Sequence, residues 1–116
     1  MFGIKEITVQ ELARRRASND KSFFLLDVRE PMEIELADLG EEVLYMPLSQ
    51  LVAMQTAALP KEAEDKEAEL VIMCHHGNRS AQVTAWLTQL GWKNVYNLVG
   101  GIDAYAFQID PKVGRY

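Results

Sequence analysis

The chain has 116 residues, a length that suits one compact domain rather than two. Hydrophobic residues make up 48% and charged ones 25%, which excludes a disordered, collagen-like or charge-dominated chain. Twelve basic against 17 acidic residues give a net charge of −5, the wrong sign for a non-specific polyphosphate binder, so nucleic acid is not an expected partner.

Short apolar runs alternate with stretches of helical period, the pattern of an α/β domain built on a mainly parallel sheet. Residues 3–7 read as an edge strand. Thr8, with Glu11 three residues on, fits a capping box that opens a surface helix over 9–17, whose apolar face is thin. Residues 23–26 form a continuous apolar run, as expected of a central strand, and residues 43–46 a further strand ended by Pro47. The densely charged segment 62–69 is expected to be a solvated helix or loop. Residues 70–73 make the second central strand. The clearest helix spans 80–90, where Val83, Trp86, Leu87 and Leu90 form a stripe for the sheet and Gly91 supplies the stop. Residues 94–98 complete a count of five strands. Gly100-Gly101 reads as a tight turn into a last helix that Asp110-Pro111 ends. With no repeat and no Gly- or Ser-rich linker, residues 1–116 are expected to form a single domain, with 107–116 a C-terminal tail crossing the surface away from the cysteine loop.

Cys74 is the single cysteine, which excludes an intrachain disulfide and a Cys-x-x-Cys redox or zinc pair and favours a reducing compartment. No apolar run approaches the roughly 20 residues that span a bilayer, and residues 1–11 lack a signal-peptide pattern, so a cytoplasmic protein without a membrane partner is expected.

The distinctive chemistry lies in Cys74-His75-His76-Gly77-Asn78-Arg79-Ser80, between an apolar strand and an amphipathic helix. That position is the carboxyl end of a strand, where open α/β sheets bind ligands, and the helix start brings unpaired N–H groups and a positive dipole end. Such a setting, with a cation close by, favours the thiolate of a cysteine. Gly77 permits a sharp turn and a close approach of amides to an anion, and Arg79 adds a fixed positive charge. His75 and His76 are expected to line the mouth of the loop rather than bind metal, since zinc normally draws ligands from more than one segment. Trp86 and Trp92 read as packing residues.

Three blocks, Leu25-Leu26-Asp27-Val28-Arg29-Glu30, the Cys74 to Ser80 loop, and Leu90-Gly91-Trp92-Lys93-Asn94-Val95-Tyr96-Asn97-Leu98-Val99-Gly100-Gly101-Ile102, follow one another in an order and at separations that resemble the single-domain rhodaneses. The resemblance implies a three-layer fold with a central five-stranded parallel sheet flanked by helices. It implies a thiosulfate:cyanide-type sulfurtransferase, in which Cys74 takes a sulfane sulfur from thiosulfate or a persulfide donor and passes it to a thiol or cyanide. The loop from His75 to Ser80 would hold the bound sulfur, Asp27 and Arg29 would support the loop, and no metal or organic cofactor would be needed. A carrier protein is a further candidate acceptor. Four residues separate Cys74 from Arg79, one fewer than in the related phosphatases and arsenate reductases, and the smaller cradle suits sulfur better than phosphate. The alternatives are a non-catalytic interaction or regulatory module of the same fold, although such modules typically lack the cysteine, and behind it a small phosphatase or arsenate reductase. Two departures stand out: residues 37–42 replace the family's usual His-Ile-Pro-Gly-Ala segment, and Tyr105 stands where Trp is usual.

Overall fold

The computed structural model describes residues 3–116. Five strands, β1 (Lys5–Ile7), β2 (Phe24–Asp27), β3 (Val43–Tyr45), β4 (Glu69–Met73) and β5 (Asn94–Leu98), make one sheet in the order β1-β5-β4-β2-β3, and every pairing is parallel. The helices are α1 (Val9–Ala17), α2 (Pro31–Ile34), α3 (Leu48–Met54), α4 (Asn78–Gln89) and α5 (Gly101–Gln108). Parallel neighbours require crossovers, and here the helices supply them on both faces.

Strand β4 is central, and its continuous apolar run follows from having both faces covered. Leu70 and Ile72 point to the layer of α3 and α4 and meet Leu51, Val83 and Leu87. Val71 and Met73 point to the layer of α1 and α5 and meet Leu12, Ile102 and Tyr105. This period-two split produces three layers from one short run of sequence. The α/β class, the five parallel strands and the edge position of β1 agree with the sequence reading.

Four details differ. Helix α1 opens with half of the expected capping box: Thr8 Oγ1 accepts the Glu11 N–H, while the Glu11 carboxylate turns to Arg14. Leu90 is 40% exposed because α4 ends at Gln89 and leaves Leu90 as its C-cap, off the buried stripe. Segment 62–69 is not simply solvated: a 3₁₀ turn, Lys61–Ala63, buries Ala63, and the Ala63 carbonyl accepts the indole N–H of Trp92 at 2.8 Å. The tail does not stay clear of the cysteine loop, since a second 3₁₀ turn, Pro111–Val113, brings Tyr116 back onto it. No described helix is long and apolar enough to cross a membrane.

Candidate active site

The chain leaves β4 at Met73, turns through residues 74–77 and enters α4 at Asn78. Gly77 makes the turn with φ of 103°, a left-handed conformation that disfavours any residue with a Cβ. Because of this turn the first free N–H groups of the helix fold back on the cysteine. The Gly77 and Ser80 N–H groups point at Cys74 Sγ from 3.1 and 3.4 Å, and Ser80 Oγ lies 3.2 Å from the same sulfur. Cys74 is only 1% exposed.

A second helix start clamps the loop from the other side. The N–H groups of Ile102 and Asp103, in the first turn of α5, donate to the carbonyls of Cys74 and His75 at 2.9 and 3.1 Å. So close an approach requires Gly101, where a Cβ would fall 2.5 Å from both carbonyl oxygens. The Gly100-Gly101 pair is therefore a turn, as read from the sequence, and also a contact surface for the loop.

Asn97, on β5, is a site residue that motif reading missed. Its amide Nδ2 donates to the Gly77 carbonyl at 3.2 Å, and its Oδ1 accepts the Ser80 hydroxyl at 2.6 Å. A signal did exist: Asn97 alternates with Val95 on the inward face of β5, and a polar residue at a core register must find a partner.

Arg79 does not reach into the loop as a free cation. Its two Nη atoms lie 2.7 and 2.8 Å from the Glu33 carboxylate oxygens, a bidentate pair. Hydrogen bonding from Arg79 holds the Glu33 carboxyl down at about 2, against the opposing effect of burial. Glu33 also accepts the Tyr116 hydroxyl at 3.0 Å. Asp27 and Arg29 form a fully buried ion pair at 2.7 Å. Arg29 spends its remaining donors on the carbonyls of Glu33 and Ala37, at 3.1 and 2.7 Å, and on Tyr116 Oη at 3.1 Å. Asp27 and Arg29 thus fasten α2 and the tail, and reach the cysteine loop only through Glu33 and Tyr116. The reciprocal capping of Glu30 and Glu33 around Pro31, which sets α2, was the available sequence signal for Glu33.

His75 is stacked between two rings, His76 and Tyr116, each with its centroid 3.8 Å away. Burial, and next the neighbouring His76, push the His75 imidazole below its ordinary value. Asn78 is exposed in the first turn of α4. The ligand-type atoms of His75, His76 and Asp103 lie within 4.8 Å of one another. Asp103 is engaged by Arg115 at 2.9 and 3.3 Å, and His75 is stacked on His76. His76, His75 and Tyr116 make a stack of rings at the loop.

A family model described as the rhodanese-like domain matches residues 8–108. The chain is 38% identical over 117 residues to the chloroplastic rhodanese-like/PpiC domain-containing protein 12 of Arabidopsis thaliana, a match covering 97% of this chain and 38% of that protein's length. It is 34% identical over 103 residues to a sulfurtransferase of Allochromatium vinosum, covering 89% of each. Among solved structures, a human single-domain sulfurtransferase superposes with a TM-score of 0.73 at 27% identity, over 91% of this chain and 98% of that one.

Proposed function

The chain belongs to the rhodanese-like domain family, and on that premise we propose that it is a sulfurtransferase that carries a sulfane sulfur on Cys74. The thiolate Sγ attacks the terminal sulfur of thiosulfate or of a persulfide; the donor's S–S bond breaks, and sulfite or a thiolate leaves with its electron pair. A thiolate or cyanide then attacks the outer sulfur, the Sγ–S bond breaks, and the electron pair returns to Sγ. With Cys74 the single cysteine, the acceptor is a second molecule, either a small thiol or a thiol on a carrier protein.

The observation that carries this reading is the convergence of the Gly77 and Ser80 N–H groups on Cys74 Sγ at the start of α4. Donors fixed by the backbone stabilise sulfur anions without reorganising during the reaction. They matter the more because the Arg79 charge is already matched by Glu33. The burial of Cys74 restricts the donor to one that presents a slender terminal atom.

Thiocyanate formation from thiosulfate and cyanide tests the reading. The protein is expected to form thiocyanate, and Cys74→Ser to lose that activity by more than about a thousandfold. No thiocyanate above the uncatalysed rate, and no sulfur passed from polysulfide to a thiol, would leave the chain as a binding module of this fold.

A further inference from the structure

We propose that Asn97 is a positioning residue of this site: by holding the Ser80 hydroxyl proton, it turns an oxygen lone pair rather than a proton toward Cys74 Sγ and keeps charge off that sulfur between transfers. The inference rests on the reading of Cys74 as the sulfur carrier and adds a control on its charge state.

The hydrogen bonds leave one arrangement. Asn97 Nδ2 donates to the Gly77 carbonyl, and this fixes which end of the amide faces Ser80. The end that does so is Oδ1, 2.6 Å from Ser80 Oγ. An amide oxygen carries no proton, so the proton in that bond is the serine's. A hydroxyl has one proton, so toward Sγ, 3.2 Å away, Ser80 Oγ can only accept. The thiol donates to Ser80, Ser80 donates to Asn97, and all three residues are buried.

Each charge state of the sulfur then has its own relation to this chain of donors. A thiol completes it. In a persulfide the negative charge sits on the outer sulfur, and the serine proton stays with Asn97. A bare thiolate on Sγ gains the serine proton only if Asn97 Oδ1 is left buried and unpaired, which is unfavourable. The network therefore favours the thiol between transfers and restrains the bare thiolate, the form that attacks a donor and the form that is left when the outer sulfur departs. Other charged or titratable groups around the sulfur are His75 and His76 on the loop, Arg79 on α4 paired with Glu33 of α2, and Asp103 of α5 paired with Arg115 of the tail. None of them is substituted in the comparison below.

The rate of Cys74 alkylation by iodoacetamide at pH 7 follows the thiolate population and needs no sulfur donor. Asn97→Leu frees the serine proton for the sulfur, and alkylation is expected to rise about three- to tenfold, the worth of one hydrogen bond. Asn97→Asp still offers an acceptor to Ser80 while losing the donor to Gly77, and is expected to react no faster than the unaltered protein. In a Ser80→Ala background, Asn97→Leu is expected to leave the rate within about twofold of Ser80→Ala alone, because the relay has no middle member. If Asn97→Leu does not give a cooperative thermal melt, Asn97→Val, which suits a strand and also lacks an acceptor, takes its place. An unchanged rate in Asn97→Leu overturns the proposal. So does an equal rise in Asn97→Asp or in the Ser80→Ala background, since either would reduce Asn97 to a support for the Gly77 turn. The expected alkylation pattern in a protein that forms no thiocyanate would count against the sulfurtransferase reading and leave the relay standing.

Discussion

At the two ends of its parallel sheet this protein treats charge in opposite ways. At the amino end, Lys21 pairs with Glu42 and Lys93 with Glu67, all on exposed side chains, while Arg15 divides itself between Glu69 and Asp20. At the carboxyl end, Asp27 and Arg29 are fully buried, and Arg29 continues through Glu33 and Tyr116 toward Arg79 and the cysteine loop. Exposed pairs are screened and add little to stability. A buried pair is a commitment: each charge depends on the other, and removing one leaves a charge that water cannot reach. The carboxyl end accepts that risk where a short loop must be held in a single shape, whereas every pair at the amino end keeps at least part of both side chains in contact with water.

The contrast can be broken at several strengths. Arg29→Leu leaves Asp27 buried and alone, and is expected to destabilise the protein by about 3–5 kcal/mol in a urea melt, with much of the loss recovered when Asp27→Leu is added. Recovery would be the sharper result, since it separates loss of packing from loss of charge balance. Gly101→Ala forces a Cβ onto the Cys74 and His75 carbonyls at φ of 63°, and about 2–3 kcal/mol should be lost in the same melt. Glu33 tests the comparison through pH. Its folded carboxyl titrates at about 2, below its ordinary 4.5. The Arg79–Glu33 pair therefore contributes fully above about pH 4.5, and its contribution is lost as pH falls toward about 2. Glu33→Gln should flatten that part of a stability-versus-pH curve, and an unchanged curve would show that the pair holds nothing. The smallest effect is expected at the amino end, where Lys21→Ala should change stability by less than about 1 kcal/mol.

The sheet was far more legible in the sequence than the site. Residues 70–73 announce a strand buried on both faces because both faces must be apolar, and Gly77 announces a turn because few other residues accept its φ. Cys74, with a glycine and an arginine close behind it, was legible as chemistry for the same local reason. Helices α2 and α3, of four and seven residues, are too short for a 3.6-residue period to declare itself. The partners that shape the site lie far along the chain: 17 residues from Ser80 to Asn97, 46 from Arg79 to Glu33, 83 from Tyr116 to Glu33. Such contacts are set by the strand order, which places β5 and β2 on either side of β4, and no local pattern encodes them. Arg79 illustrates the loss. Its type and position foretold a cation at the loop, but not that a carboxylate of α2, beyond the neighbouring strand β2, would already hold it.

Intact-protein mass after incubation with thiosulfate, before and after cyanide, with Cys74→Ser alongside, bears most directly on the assignment of Cys74 as the sulfur carrier. One added sulfur atom on the unaltered chain, removed by cyanide and missing from Cys74→Ser, is the expected result. An unchanged mass with both thiosulfate and polysulfide, while the thiol still alkylates, would contradict it.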